Sequence, residues 1–154
     1  AKPQLKAVMQ SAIARHAPAA AWTLLDSQSR EAMRAADLVL VASGTATLEC
    51  LLLGRPMVVG YRANAFTAWL LLQAGMLKIK NVSLPNLLAH AATVPELIQG
   101  ELRPEALREE LYLLLRNPLL RQRQLEQFSA VRTELKRDSA VLAADAIARL
   151  LAAV

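Results

Sequence analysis

A chain of 154 residues is the size of one domain and can bury about two thirds of its unfolded surface, so a core of its own is expected. With 55% hydrophobic and 20% charged residues it is no disordered chain, and it is apolar enough to expect a buried interface or a lipid contact. The net charge of +5 is unevenly placed: no Asp or Glu lies between Cys50 and Pro95, whereas Arg55, Arg62, Lys78 and Lys80 do, so that region should attract anions.

In chain order, residues 4–16 place Leu5, Val8, Met9, Ala12 and Ile13 at helical spacing, which predicts an amphipathic helix ending before Pro18. "AAWTLL" at 20–25 reads as a strand, and Ser29 as the cap of a short helix, "REAMRAA". "LVLVA" at 38–42 runs apolar without alternation, as a parallel strand covered on both faces would. The turn "SGT" leads into a helix over about 46–53, closed by Gly54 at C′ with Pro56 behind it, and "MVVGY" is the next buried strand. Strand, helix, strand with short connections makes a right-handed parallel crossover.

Residues 65–77 read as a helix, and "VSLP" as a strand or extended segment ending at Pro85; 86–102 gives no clear pattern. Pro104 and Glu105 open a helix to Arg116, which Asn117-Pro118 breaks. A helix over 119–136 carries Leu125, Phe128, Val131 and Leu135 on one stripe, and Asp138 or Ser139 caps a last helix to Leu151. The expected fold class is α/β: an incomplete doubly wound parallel sheet, Rossmann-like, with a helical C-terminal tail. Residues 1–103 are expected to form its Rossmann-like part and 104–154 the helical tail. The strands are few for such a sheet, and the chain opens on Ala1 rather than Met without a signal-peptide pattern; a fragment lacking its first strand and loop is expected. No apolar run approaches the roughly 20 residues that span a bilayer, so a membrane role would be peripheral.

In open parallel sheets ligands sit at the carboxyl ends of strands, where loops meet helix N-termini whose free N–H groups and dipole favour anions. Ser43, Gly44 and Thr45 occupy that place after the strand 38–42. Gly44 lets the backbone approach a ligand, and the hydroxyls of Ser43, Thr45 and Thr47 offer donors to a phosphate. Glu49, four residues after Thr45, shares its helix face and can accept from the two vicinal hydroxyls of a ribose. The plain alternative makes "SGT" a helix cap and Glu49 a surface acid. Arg62, just beyond "MVVGY", lies at the same edge and can pair a phosphate, or be solvated.

The single cysteine, Cys50, rules out an internal disulfide and fits a reducing cytoplasm; among leucines it reads as a buried, inert thiol. His16 and His90 read as surface residues, Asp26 and Asp37 as turn and cap residues. No nucleophile triad or metal site is expected, and the basic residues lack the aromatic interleaving of a nucleic-acid surface.

The run "ASGTATLECLLLGRPMVVGYR", then "FTAWLL" and "VSLPNLLA", resembles the C-terminal half of bacterial lipid-A-disaccharide synthases, glycosyltransferases with two Rossmann domains (GT-B). The likeness runs from about Trp22 to the end. It implies transfer of 2,3-diacylglucosamine from UDP to 2,3-diacylglucosamine 1-phosphate, with inversion and without a metal or other cofactor, at the cytoplasmic face of the inner membrane. By the same resemblance Ser43, Gly44, Thr45 and Thr47 match the diphosphate turn, and Glu49 the ribose-binding acid. Asn86 matches a functionally important asparagine at the donor or acceptor side and is expected to be catalytic, and Gln28 lies where related transferases read uracil, mainly through backbone groups.

The arginine-bearing first loop and the N-terminal half with the acceptor site and catalytic base would be missing, so the chain alone is expected to be inactive. The stripe Leu142, Ile147, Leu150 and Leu151 would then lack its partner and favour a homodimer or exchange of the tail. Phe66, Trp69 and Leu70 would pack on the sheet or rest on lipid headgroups. The alternatives are another UDP-sugar transferase, or a non-catalytic phosphate- or membrane-binding module.

Overall fold

The computed structural model describes the backbone of residues 3–62, 81–136 and 139–152. The expected helix 65–77, with Phe66, Trp69 and Leu70, and the cations Lys78 and Lys80 lie outside the described residues, as does the side chain of Leu142.

Among the described residues three parallel strands form one open sheet in the order β1 (Val39–Ala42), β2 (Met57–Tyr61), β3 (Glu96–Ile98). The register pairs Val39 with Met57, Ala42 with Gly60, and Val59 with Glu96, so the carboxyl ends of all three strands share one edge. Central β2 is covered on both faces, as its unbroken apolar run requires: Met57, Val58 and Val59 are fully buried. Edge strand β1 is not, against expectation. Val41 points into the core, but Leu40, on the other face, is half exposed.

Helix α3 (Thr45–Leu52) makes the crossover between β1 and β2. Its inward face is Thr47, Cys50 and Leu51, all fully buried, which leaves Thr45, Glu49 and Leu52 on the outward stripe. The C-terminus closes as read from sequence. Gly54 at C′ has φ +63, its N–H donates to Leu51 O, and Arg55 N–H reaches back to Cys50 O, the paired bonds of a Schellman motif. Arg132 adds a donor to Leu52 O at 3.2 Å, a cation at the negative end of the helix dipole.

The helices after the sheet complete the core. In α6 (Pro118–Leu135) the buried stripe is Gln124, Phe128 and Val131, whereas Leu125 and Leu135, expected on it, are exposed. Phe128 and Val131 join Met33, Cys50, Leu51, Met57 and Val59 in one cluster. Gln124 lies buried against the start of β2: Met57 N–H donates to its Oε1 at 3.0 Å, and its Nε2 donates to Met57 O at 3.2 Å. Helix α5 (Pro104–Arg116) covers the opposite face of β2, where a Cβ at Gly60 would stand 2.9 Å from Leu102 Cδ1.

Three local readings need correction. Residues 20–25 form no strand; Trp22 and Leu25 are exposed, and Trp22 Nε1 donates to Ala17 O. Helix α2 (Ser29–Ala35) starts at Ser29, with Gln28 as its N-cap residue. Pro85 starts a helix rather than ending a strand: α4 (Leu84–Ala89) has it in its first turn, where a missing N–H costs nothing. Helix α1 (Pro3–His16) forms as expected, but its apolar residues Leu5, Val8 and Met9 are exposed, and Lys6 pairs with Asp26 at 3.0 Å. That ammonium holds the Asp26 carboxyl below its ordinary range. The last helix, α7 (Ser139–Ala152), leaves Ile147, Leu150 and Leu151 exposed.

Candidate functional site

Past the β1 edge the chain turns through Ser43 and Gly44 into α3. Gly44 is the N-cap residue with φ +135 and ψ −163, a conformation essentially reserved for glycine, and no side chain caps this end of the helix. It is exposed, and a Cβ built on it would meet nothing within 4 Å. Of the first-turn N–H groups, that of Thr47 is taken by Gly44 O at 3.1 Å, which leaves those of Thr45 and Ala46 beside the exposed Gly44, at the positive end of the helix dipole.

The expected donors divide into two kinds. Thr45 is exposed beside Gly44. Thr47 is fully buried and its hydroxyl donates to Gly44 O at 2.7 Å, so it holds the turn from inside rather than reaching a ligand. The half-buried Ser43 hydroxyl donates to Val82 O at 3.3 Å, tying the turn to the segment that enters α4. Sequence spacing placed the hydroxyls correctly along the chain but not their partners. Glu49 stands half-buried one helical turn beyond Thr45, on the outward stripe.

Arg62 lies at the same edge, since Gly44 and Arg62 each fall two residues past the paired Ala42 and Gly60. Arg62 is exposed, and its guanidinium donates to Leu102 O at 2.7 Å, the one bond it makes among the described residues; with five N–H donors the group can also face an anion. Gln28 is exposed beside Ser27, whose φ of +57 is left-handed; among the described residues no bond ties Gln28 to the 43–45 turn.

Asn86 is almost fully buried in α4, and its amide has four protein partners. Nδ2 donates to Val94 O at 3.0 Å and to Glu96 Oε1 at 2.7 Å, while Oδ1 accepts from Thr93 N at 2.7 Å and Val94 N at 2.8 Å. That exhausts the donors and acceptors of the group. In this structure Asn86 binds the strand entry to α4 and presents no free polar atom.

Glu96, absent from the sequence reading, is at the centre of this cluster, receiving Val82 N–H on Oε2 and Ser83 N–H on Oε1. The one signal that pointed to it is that it ends the long acid-free stretch. Cys50 is buried as expected, and burial pushes its thiol up to about 11.

Residues 1–150 match the family model described as lipid-A-disaccharide synthetase. The chain belongs to this family. It is 48% identical over 131 residues to a lipid-A-disaccharide synthase of Saccharophagus degradans, a match covering 85% of this chain and 33% of that protein. It is 47% identical over 152 residues to the synthase of Pseudomonas savastanoi pv. phaseolicola, covering 98% of this chain and 38% of the relative. With the synthase of Xanthomonas campestris pv. campestris the identity is 40% over 152 residues, 98% of this chain and 35% of the other. The chain thus spans about a third of the length of the lipid-A-disaccharide synthases it matches, and the 43–49 turn, Arg62 and Asn86 all fall inside the matched range.

Proposed function

We propose that this chain holds the donor nucleotide of a glycosyltransferase that moves 2,3-diacylglucosamine from UDP to the 6-hydroxyl of 2,3-diacylglucosamine 1-phosphate. Family membership supports the lipid substrates. The observation that carries the nucleotide reading is Gly44: an exposed, uncapped helix start in a backbone conformation for glycine, with a carboxylate one turn along the same outward stripe.

In this reading the N–H groups of Thr45 and Ala46 and the Thr45 hydroxyl take the diphosphate, Arg62 pairs a phosphate oxygen, and Glu49 accepts from both ribose hydroxyls. Gln28 lies on the uracil side. Thr47 and Ser43 act by holding the turn, and Asn86 acts through the segment it fastens rather than by touching substrate. The acceptor oxygen attacks the anomeric carbon from the face opposite UDP, and the electrons of the breaking C–O bond move onto the diphosphate. Fixed N–H donors at a helix start stabilise that growing charge without having to reorient. The acceptor site and catalytic base are assigned to the part of the relatives that this chain does not span, so the chain alone binds UDP without turnover.

The working place of such an enzyme is the cytoplasmic face of the inner membrane, held peripherally. Among the described residues no helix is long and apolar enough to cross a membrane. Exposed Ile147, Leu150 and Leu151 would seat on the remaining half of the transferase or on a second copy.

Calorimetric titration with UDP and 2′-deoxy-UDP tests the assignment. UDP is expected to bind about tenfold more tightly than its deoxy analogue, about 1.4 kcal/mol, and Glu49→Ala should erase the difference. Equal affinities in the unaltered chain, or a preference that survives Glu49→Ala, would refute the ribose role. Vesicle binding indifferent to UDP would favour the non-catalytic module.

A further inference from the structure

We infer that Glu96 is a positioning residue that fixes the nucleotide turn from β3, the strand beyond β2; the inference rests on the donor-site reading above. Its carboxylate accepts four hydrogen bonds. Oε1 takes Ser83 N–H at 2.9 Å, Ser83 Oγ at 2.5 Å and Asn86 Nδ2 at 2.7 Å, and Oε2 takes Val82 N–H at 2.8 Å. Among the described residues no cation pairs with it, so its charge is met by donors gathered at the start of α4. Each donor points at an oxygen that carries no hydrogen, which is why a carboxylate suits this place and an amide does not.

The link to the nucleotide turn runs through one residue. Val82 gives its N–H to Glu96 and accepts the Ser43 hydroxyl on its carbonyl. Ser43 precedes Gly44, and Thr47 grips the Gly44 carbonyl from the far side with its hydroxyl at 2.7 Å and its N–H at 3.1 Å. The unusual Gly44 conformation is therefore held between a bond inside α3 and a chain of bonds that ends on β3. Glu96→Gln keeps the side-chain volume but turns one oxygen into an NH2 group facing N–H donors, which expels Val82 or Ser83 and slackens the tie to Ser43.

Two readouts on the full chain test this. The first needs no nucleotide: hydrogen exchange of the Thr47 amide, whose acceptor is Gly44 O, should speed up about tenfold in Glu96→Gln, and likewise in Ser43→Ala, which cuts the same path at its other end. The second compares UDP with uridine. Glu96→Gln should weaken UDP about tenfold and leave uridine, held by Glu49, unchanged; general loss of folded protein would weaken both alike. Unchanged Thr47 exchange in folded Glu96→Gln overturns the inference, whatever Ser43→Ala or UDP does. Faster exchange in a chain that never binds UDP would retain the mechanical link and refute the donor-site reading instead. Should Glu96→Gln fail to fold, Glu96→Asp, with its carboxylate one methylene short, and Ser43→Ala give the same comparison.

Discussion

Replacing Gly44 by alanine isolates the feature on which the site depends. A Cβ at Gly44 meets nothing within 4 Å, so no steric clash enters, and the cost comes from φ +135 with ψ −163 alone. Holding a side-chain-bearing residue there costs about 1–3 kcal/mol, while the stiffer unfolded chain returns about 0.4–1 kcal/mol. The expected net loss is about 1–2 kcal/mol, a fall in Tm of roughly 2–8 °C for a chain of this size. Alternatively the turn relaxes to negative φ, which preserves stability but re-aims the first-turn N–H groups, and UDP affinity falls in its place. Gly100→Ala is the matched control: it too has open space around its Cβ, but its φ is not in the positive region. Urea denaturation and UDP calorimetry on both variants give the answer. If Gly44→Ala matches Gly100→Ala in both stability and affinity, the left-handed turn and its place in the site are wrong.

Gln124→Met preserves volume but strips Met57 N–H of its acceptor in a buried site, for an expected loss of about 1–3 kcal/mol in urea denaturation; wild-type stability would remove the role given to that amide. The Cys50 thiol should stay silent toward a thiol reagent at pH 8 until the chain unfolds, and rapid reaction of folded protein would contradict its burial. Because the folded thiol titrates near 11 and the unfolded one near about 8.5, its contribution is fully present below about pH 8.5 and is lost as pH rises toward about 11. Alkaline denaturation of Cys50→Ala should lack that component.

Much of the α/β unit was readable before any coordinates. β1, α3 and β2 are bounded by apolar runs and a glycine closure, and Gly54 at φ +63 sits where the sequence put the helix end. Helices α5 and α6 begin at Pro104 and Pro118, again on local chemistry. The readings that failed concern partnership. "AAWTLL" has the composition of a strand but takes no strand conformation, the Trp22 indole donating to Ala17 O instead, and "VSLP" became a helix start because the Glu96 carboxylate gathers the N–H groups of Val82 and Ser83 just ahead of α4. Thr47, expected to offer its hydroxyl to a phosphate, lies in the first turn of α3 with that hydroxyl facing inward, so it steadies the turn from within.

Caps, turns and apolar periodicity act over a few residues, so the course of the crossover, the place of its glycine turn and the shared stripe of Thr45 and Glu49 could all be read along the chain. Which polar groups meet was decided only by the tertiary structure. Ser83, Asn86 and Glu96 converge because α4 folds back against β3, and Ser43 finds Val82 across 39 positions of chain. A hydrogen bond needs its partners within about 3 Å, and no spacing rule along a chain reports which distant residue packing will bring that near.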